Sequence, residues 1–298
     1  MSEIPVIDFQ PFRTGTLADR QAIAQQLHHA CCHSGFMYLQ NCGLADTQVE
    51  QLFAETQQFF ALPLEIKKQM LRSPSTNCGY VPMQAERLNP KRPGDLKEAF
   101  NVGGQSTWPA EQPSFQQVIS GFYQDAMQVA FQILQAFAIA LELPESFFVD
   151  RHGRNLFLRL LHYPPLNMPI ADQQIRAGEH TDYGTITLLL QDTVGGLEIC
   201  TRQEGWMPVP VIPGTVLVNI GDAMQRWTND VFRSTPHRVV NPPGIEQQRS
   251  RYALALFCDP DPEVEISSLP SCVQPGQPSR YPPVRYADYL QAKFAATY

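Results

Sequence analysis

The chain has 298 residues, with 22 Lys and Arg against 29 Asp and Glu and a formal net charge of −7. An acidic chain without a basic run argues against a nucleic-acid or anionic-membrane partner, and no apolar stretch is long enough to span a bilayer. The start, MSEIPVIDF, is polar and runs into a short strand-like segment rather than a signal peptide. The expected compartment is therefore the cytoplasm, where Cys31, Cys32, Cys42, Cys78, Cys200, Cys258 and Cys272, an odd set without a regular framework, read as reduced thiols.

Pro5–Phe9 reads as a strand. Thr16 is a candidate N-cap for a helix to about His33 with Ile23, Leu27 and Ala30 on one face. A second strand is expected over Gly35–Leu39. Asp46 is the expected cap of a second helix with Val49, Leu52, Phe53 and Phe60 as its stripe, ended at Pro63. Residues 73–112 are rich in Pro, Gly and Asn, lack a period, and read as a functional loop or lid. From Ser114 to about Leu141 apolar residues recur every three or four positions, which predicts a long helix lying along a sheet.

After Pro144 the pattern changes to short β-like runs: Leu156–Tyr163, Thr185–Gln191, Gly196–Cys200, Trp206–Val209, Thr215–Ile220, His237–Val240 and Arg251–Phe257. Turn signals separate them, as in a sandwich or jelly roll. Residues 262–298 read as loop and a short helical tail. The fold expected is mainly β with flanking α: a jelly-roll core with a helical N-terminal region. The organisation is an N-terminal region over 1–112, then a long helix plus β-rich core over 113–298.

His180 and Asp182 stand two residues apart, and His237 opens a later run. Residues i and i+2 of a strand share a side, so the first two can reach one ion, and a jelly roll can bring His237 beside them. Two imidazoles and one carboxylate form a facial triad that suits Fe(II) and leaves open positions for chemistry. A rival cluster, His28, His29, Cys31, Cys32 and His33, has i,i+4 pairs that can chelate zinc, but the ordinary account is a helix face with one buried stripe. A ferrous site that activates dioxygen needs two further electrons. An oxoacid that supplies them needs a cation for its far carboxylate. Arg251 opens an apolar run and is a candidate, with Arg249 and Arg238 as rivals.

Together these segments resemble the isopenicillin-N-synthase-like family of Fe(II)/2-oxoglutarate-dependent oxygenases, over nearly the full length. IPVIDF, GFMYLQNCGL, FFALPLEIK, GDLKEAF, HTDYGTITLLLQD, PGTVLVNIGD, STPHRVV and RYALALF follow in the family's order. The resemblance implies a double-stranded β-helix core of the cupin-like kind, with His180, Asp182 and His237 on iron. It implies Arg251 on the C5 carboxylate of 2-oxoglutarate, Tyr163 as the tyrosine that hydrogen-bonds this co-substrate, and Phe257 on the cavity wall. It further implies O2 consumption, succinate and CO2 as co-products, and hydroxylation, desaturation or cyclisation of a small molecule.

Two positions depart from the family. Ala253 stands where a serine is usual, which removes one hydrogen bond to the C5 carboxylate. Cys42 stands where a histidine is usual, which reads as a packing change. Ala253 keeps open an Fe(II) oxidase that uses no 2-oxoglutarate, and a non-catalytic iron-binding or sensing module is the alternative of another class. Candidate substrate contacts are Tyr183, Phe257, Tyr80, Met83 and Phe100. Arg87, Asn167 and Arg176 fall in segments read as solvated loops. Substrate identity and oligomeric state are not fixed by these motifs.

Overall fold

The computed structural model describes residues 4–167, 169–273, 276 and 278–297. In chain order it runs β1 (Val6–Asp8), α1 (Gln10–Thr14), α2 (Leu17–His33), β2 (Phe36–Gln40), α3 (Asp46–Ala61), α4 (Leu64–Lys67), β3 (Gly79–Val81), β4 (Glu98–Val102) and α5 (Pro113–Ala140). There follow β5 (Leu156–Tyr163), β6 (Ala177–His180), β7 (Ile186–Gln191), β8 (Leu197–Thr201), β9 (Gly205–Pro208), β10 (Thr215–Ile220) and α6 (Asp222–Trp227). The chain ends through β11 (His237–Val239), β12 (Arg251–Cys258), β13 (Glu265–Ile266), β14 (Val284–Arg285) and α7 (Tyr286–Thr297).

Two sheets make the jelly roll. The larger has the order β1-β2-β10-β7-β12-β5-β4-β3, and the smaller β6-β11-β8-β9. Strand alternation divides the larger sheet into two buried faces. Leu156, Leu158, Leu160, Ile186, Leu188, Val218, Leu254 and Leu256 join the core beneath the helices. Leu161, Tyr163, Leu217 and Ala253 join a second core with Ala177, Leu197, Ile199 and Val239 of the smaller sheet. The functional cavity lies between the sheets, walled by this second set.

The helices close the first face. Thr16 caps α2 as expected, in a reciprocal box: Asp19 N donates to Thr16 Oγ1 at 3.3 Å and Thr16 N to Asp19 Oδ2 at 2.8 Å. The cap expected at Asp46 is corrected: Ala45 is the N-cap and makes no side-chain cap bond. Asp46 stands in the first turn, where a negative charge complements the helix dipole. In α5 the three-and-four spacing buries Phe115, Ile119, Phe122, Val129, Ile133 and Phe137. Cys31 belongs to this core, and His28 Nδ1 lies 3.6 Å from Cys32 Sγ while His33 Nδ1 bonds the His29 carbonyl at 2.7 Å. Of the rival cluster only Cys31 is buried, while His28 and Cys32 are half-buried and His29 and His33 exposed, so the cluster is a helix face with one core residue and local hydrogen bonds.

The segment 73–112 is not wholly loop. It contains β3 and β4, which extend the larger sheet beyond β5. All five residues of β4 are buried, so no polar-apolar alternation marks the strand. Its Glu98 is matched by Lys67 Nζ at 2.8 Å, His162 Nδ1 at 2.7 Å and Tyr80 OH at 2.5 Å. A buried carboxylate with three such partners is electrostatically tolerated.

Candidate active site

His180 ends β6 and His237 begins β11, and the two stand opposite each other in the antiparallel register. Their ring centroids are 4.2 Å apart. Asp182 is not on a strand. It lies where the chain leaves the smaller sheet for β7 in the larger one, so the crossing, and not the i,i+2 alternation of one strand, brings it to the histidines. Backbone bonds pin that crossing: Asp222 N to Asp182 O at 2.7 Å, Ala223 N to Gly184 O at 3.0 Å and Thr185 N to Cys258 O at 3.0 Å. A Cβ on Gly184 would fall 1.8 Å from Asp259 Oδ1, so any other residue there would have to displace the buried Asp259 carboxyl.

Asp182 Oδ1 lies 3.9 Å from His180 Nε2 and 3.7 Å from His237 Nε2. One ligand atom from each residue falls within 4.8 Å of the others, and no other group of three or more His, Cys, Asp or Glu does so among the described residues. Each histidine turns Nδ1 to a carbonyl, His180 to Gly178 O at 2.8 Å and His237 to Thr235 O at 3.2 Å. This fixes Nδ1 as donor and leaves the Nε2 lone pairs converging on the carboxylate. Burial, then the neighbouring His237, pushes the His180 pKa down to about 4, so the imidazole is neutral, as a ligand must be. Burial disfavours an ionised Asp182. His237, His180 and hydrogen bonds from Thr187 and Asn219 outweigh it and hold the carboxyl below its usual range. Those two bonds, 2.6 Å from Thr187 Oγ1 and 2.7 Å from Asn219 Nδ2, both reach Oδ2 and so leave Oδ1 to face the imidazoles.

At the other end of the cavity stands Arg251, 1 % exposed. It faces Tyr163 in register, with its guanidinium 4.8 Å from the ring centroid. Nη2 donates to Gln191 Oε1 at 2.8 Å, while Nε and Nη1 have no partner. An orphaned guanidinium edge inside a cavity fits a ligand carboxylate. Neither rival does: Arg249 bonds Glu246 at 2.8 Å, and Arg238 bonds Glu198 at 2.7 Å with Glu179 nearby at 3.5 Å.

Tyr163, Ala253, Phe257 and Tyr183 all line the cavity with the triad and Arg251. Phe257 stacks on Phe157 at 4.9 Å. Tyr80 and Phe100 do not line it: both are buried in the core under the helices. They fall on that side because β3 and β4 alternate like their neighbours, with Val81 and Ala99 taking the cavity side. Met83 is half-buried and also lies outside the lining. Arg87 and Asn167 are exposed, but Arg176 is fully buried, against the solvated-loop expectation. Sequence reasoning missed Asn77, Glu86, Lys97 and Arg159 on the wall, and Leu290 and Phe294 from α7. The alternation of β5 held a signal for Arg159, two residues from both Phe157 and Leu161; nothing in the sequence pointed to α7.

Residues 4–134 match the family model for the non-haem dioxygenase in morphine synthesis N-terminal region, and residues 154–260 match that of the 2OG-Fe(II) oxygenase superfamily. A 2-oxoglutarate-dependent dioxygenase of Aspergillus rugulosus, htyE, is 33 % identical over 97 % of this chain and 95 % of its own length. The chain belongs to the Fe(II)/2-oxoglutarate-dependent oxygenases of the isopenicillin N synthase-like type. The proline hydroxylase buaE of Petromyces alliaceus is 34 % identical over 99 % of this chain and all of its own. A full-length Neurospora crassa protein, whose crystal structure holds α-ketoglutarate and thymine, is 32 % identical. Its match covers 98 % of this chain and 96 % of that one, with a TM-score of 0.86. The protein is accordingly an oxidoreductase of small molecules whose cofactors are Fe(II), 2-oxoglutarate and O2. The oxidase and binding-module alternatives give way to this membership. Among the described residues no helix is long and apolar enough to cross a membrane.

Proposed function

We propose that His180, Asp182 and His237 hold Fe(II), that Arg251 receives the C5 carboxylate of 2-oxoglutarate, and that the remaining cavity takes a compact, flat substrate with a hydrogen-bonding edge. The observation that carries the first two roles is the pairing within one cavity of a two-histidine, one-carboxylate donor set with a buried guanidinium whose Nε and Nη1 are unmatched. The donor set suits ferrous iron, being facial and free of thiolate. Bound there, the iron supplies oxidative decarboxylation of 2-oxoglutarate by dioxygen, giving succinate and CO2 with two-electron oxidation of the substrate.

The chain itself binds, orients and excludes water. Thr187 and Asn219 fix the carboxylate, and Gly178 and Thr235 carbonyls fix the imidazole rotamers. The Tyr163 ring and Gln191 set the plane of the Arg251 guanidinium. Phe157, Phe257, Tyr183 and Phe294 present aromatic surface to the cavity, and Asn77 and Arg159 present polar groups. A planar heterocycle matches that combination, since aromatic faces stack on flat rings and the amide and guanidinium read the edge. The Neurospora crassa protein, which binds thymine, lends this reading support.

The test measures succinate formed from 2-oxoglutarate in the presence of free pyrimidines or, in parallel, prolyl compounds. Pyrimidine-dependent succinate is expected, and His180→Ala or Asp182→Ala should abolish it. Turnover retained in either variant would sink the triad assignment. Stimulation by prolyl compounds alone would sink the flat-substrate assignment and leave the triad standing.

A further inference from the structure

Arg176 immediately precedes β6 and is 0 % exposed. Its Nη2 donates to the Arg249 carbonyl at 2.9 Å, which ties it to the start of the strand that carries Arg251. Its Nε and Nη1, like those of Arg251, have no hydrogen-bond partner. Among the described residues neither arginine forms an ion pair. Asp192, the acid whose charge reaches Arg176, is committed to backbone: its carboxylate accepts from Tyr252 N at 2.5 Å and Val194 N at 3.0 Å. Burial, then the charge of Arg251, draws the Arg176 pKa down to about 10. The two buried guanidinium charges thus repel each other, with Asp192 the acid that partly offsets the repulsion at Arg176. Such a pair is costly in the interior unless an anion joins it.

Arg251 lines the cavity and Arg176 does not, so Arg176 stands behind it. The position that would supply a hydroxyl beside Arg251 is Ala253, which lines the same wall and has no hydrogen-bonding side chain.

We propose that Arg176 is a second cation for the C5 carboxylate of 2-oxoglutarate, and that its charge takes over the anchoring lost at Ala253. The inference rests on the reading of Arg251 as the primary anchor. One entering carboxylate relieves the repulsion and meets the unmatched donors of Arg251, and it draws on the charge of Arg176 only if the ligand is dianionic and long enough to reach the Arg251 end. A keto acid without a distal carboxylate gains nothing from it.

The experiment uses the full chain loaded with Mn(II), which holds 2-oxoglutarate without turnover, and measures dissociation constants for 2-oxoglutarate and for pyruvate by calorimetry. Arg176→Gln should weaken 2-oxoglutarate about tenfold or more, as for loss of a charge-assisted contact, while pyruvate changes less than about twofold. Arg176→Met, of similar length, replaces it if the glutamine variant does not fold. Ala253→Ser in the Arg176→Gln background should recover part of the lost affinity, a rescue that a merely structural role would not produce. Unchanged affinity for 2-oxoglutarate, or an equal loss for both keto acids, overturns the proposal. Arg251→Gln, measured alongside, separates the two readings. If it too leaves 2-oxoglutarate unaffected, the primary anchor is wrong; if it weakens binding while Arg176→Gln does not, only the second cation is.

Discussion

Thr187→Val isolates the hydrogen bonds behind the carboxylate proposed to hold the metal. Thr187 is 4 % exposed and Asn219 3 %, and both line the cavity beside the triad. Valine keeps the branched shape on β7 and deletes only the hydroxyl that donates to Asp182 Oδ2 at 2.6 Å. A hydrogen bond to a charged group contributes about 1.5–3 kcal/mol. At about 1.4 kcal/mol per factor of ten, the loss in metal affinity is roughly 10- to 150-fold, in line with the about 10–100-fold typical of groups that orient ligands. The assay is equilibrium competition for Mn(II) or Co(II) against a chelator of known affinity, with circular dichroism and a melting curve to establish that the fold is intact. Asn219→Leu should lose a similar amount. The double variant should lose more than either, because Oδ2 then has no side-chain donor left and Asp182 can rotate away from the imidazoles. A folded Thr187→Val protein that binds metal within about twofold of the parent would refute the view that these bonds hold Oδ1 in place.

Three further outcomes are expected. His152, buried and bonded to Phe148 O at 2.6 Å and Thr185 Oγ1 at 2.7 Å, has its pKa lowered to about 4, chiefly by burial. The unfolded chain takes up this proton at about pH 6.5 and the folded chain only near 4, so stability is lost as pH falls between those values, by about 3 kcal/mol. Urea midpoints for the parent and His152→Asn across pH 4–7 check this; equal slopes would count against it. Gly35, at φ 69°, would place a Cβ 2.1 Å from the Arg233 carbonyl. Gly35→Ala should cost at least about 1–3 kcal/mol in backbone strain and lower the urea midpoint, and an unchanged midpoint would contradict the geometry. Phe294→Ala removes an aromatic wall of the cavity that meets the Tyr183 ring edge-on at 6.3 Å. It should raise KM for the substrate severalfold while leaving Mn(II) and 2-oxoglutarate affinities unmoved; a parallel loss of metal binding would mean that α7 supports the centre itself.

The elements that the sequence shows are those with one wet face or a recognisable punctuation. Thr16 and Asp19 mark the start of α2, and the spacing of Phe115, Ile119 and Phe122 marks α5, because a helix half-exposed to water must sort its residues. The same sorting fails for β3 and β4. Both are buried on two sides, and Glu98 and Asn101 survive there on specific partners, so their polarity imitates a loop. Strand β6 is short and carries a register shift against β11, which leaves no period to read. Asp46 shows a subtler limit. Its side chain is a good cap in isolation, but the chain enters α3 one residue earlier.

At the site, the legible part is what the chain keeps close in sequence. His180 and Asp182 are two residues apart, and Arg251 and Ala253 occupy one face of one strand, so local geometry and the ordered motifs find them. The illegible part is set by which face of a strand looks inward and by what folds over from afar. Tyr80 and Phe100 have the right chemistry for a pocket and the wrong parity, and one residue along, Val81 and Ala99 take the inward side. Leu290 and Phe294 reach the cavity from a tail more than 30 residues beyond the last site strand. Arg176 is the sharpest case. Its segment has no period, so a solvated loop is the economical reading, yet the fold buries it within reach of the charge of a second arginine. A buried like-charge pair is expensive enough that a chain keeps one where an anion is to be held. That cost, and not the residue's place in any motif, is what marks Arg176 as part of the working site.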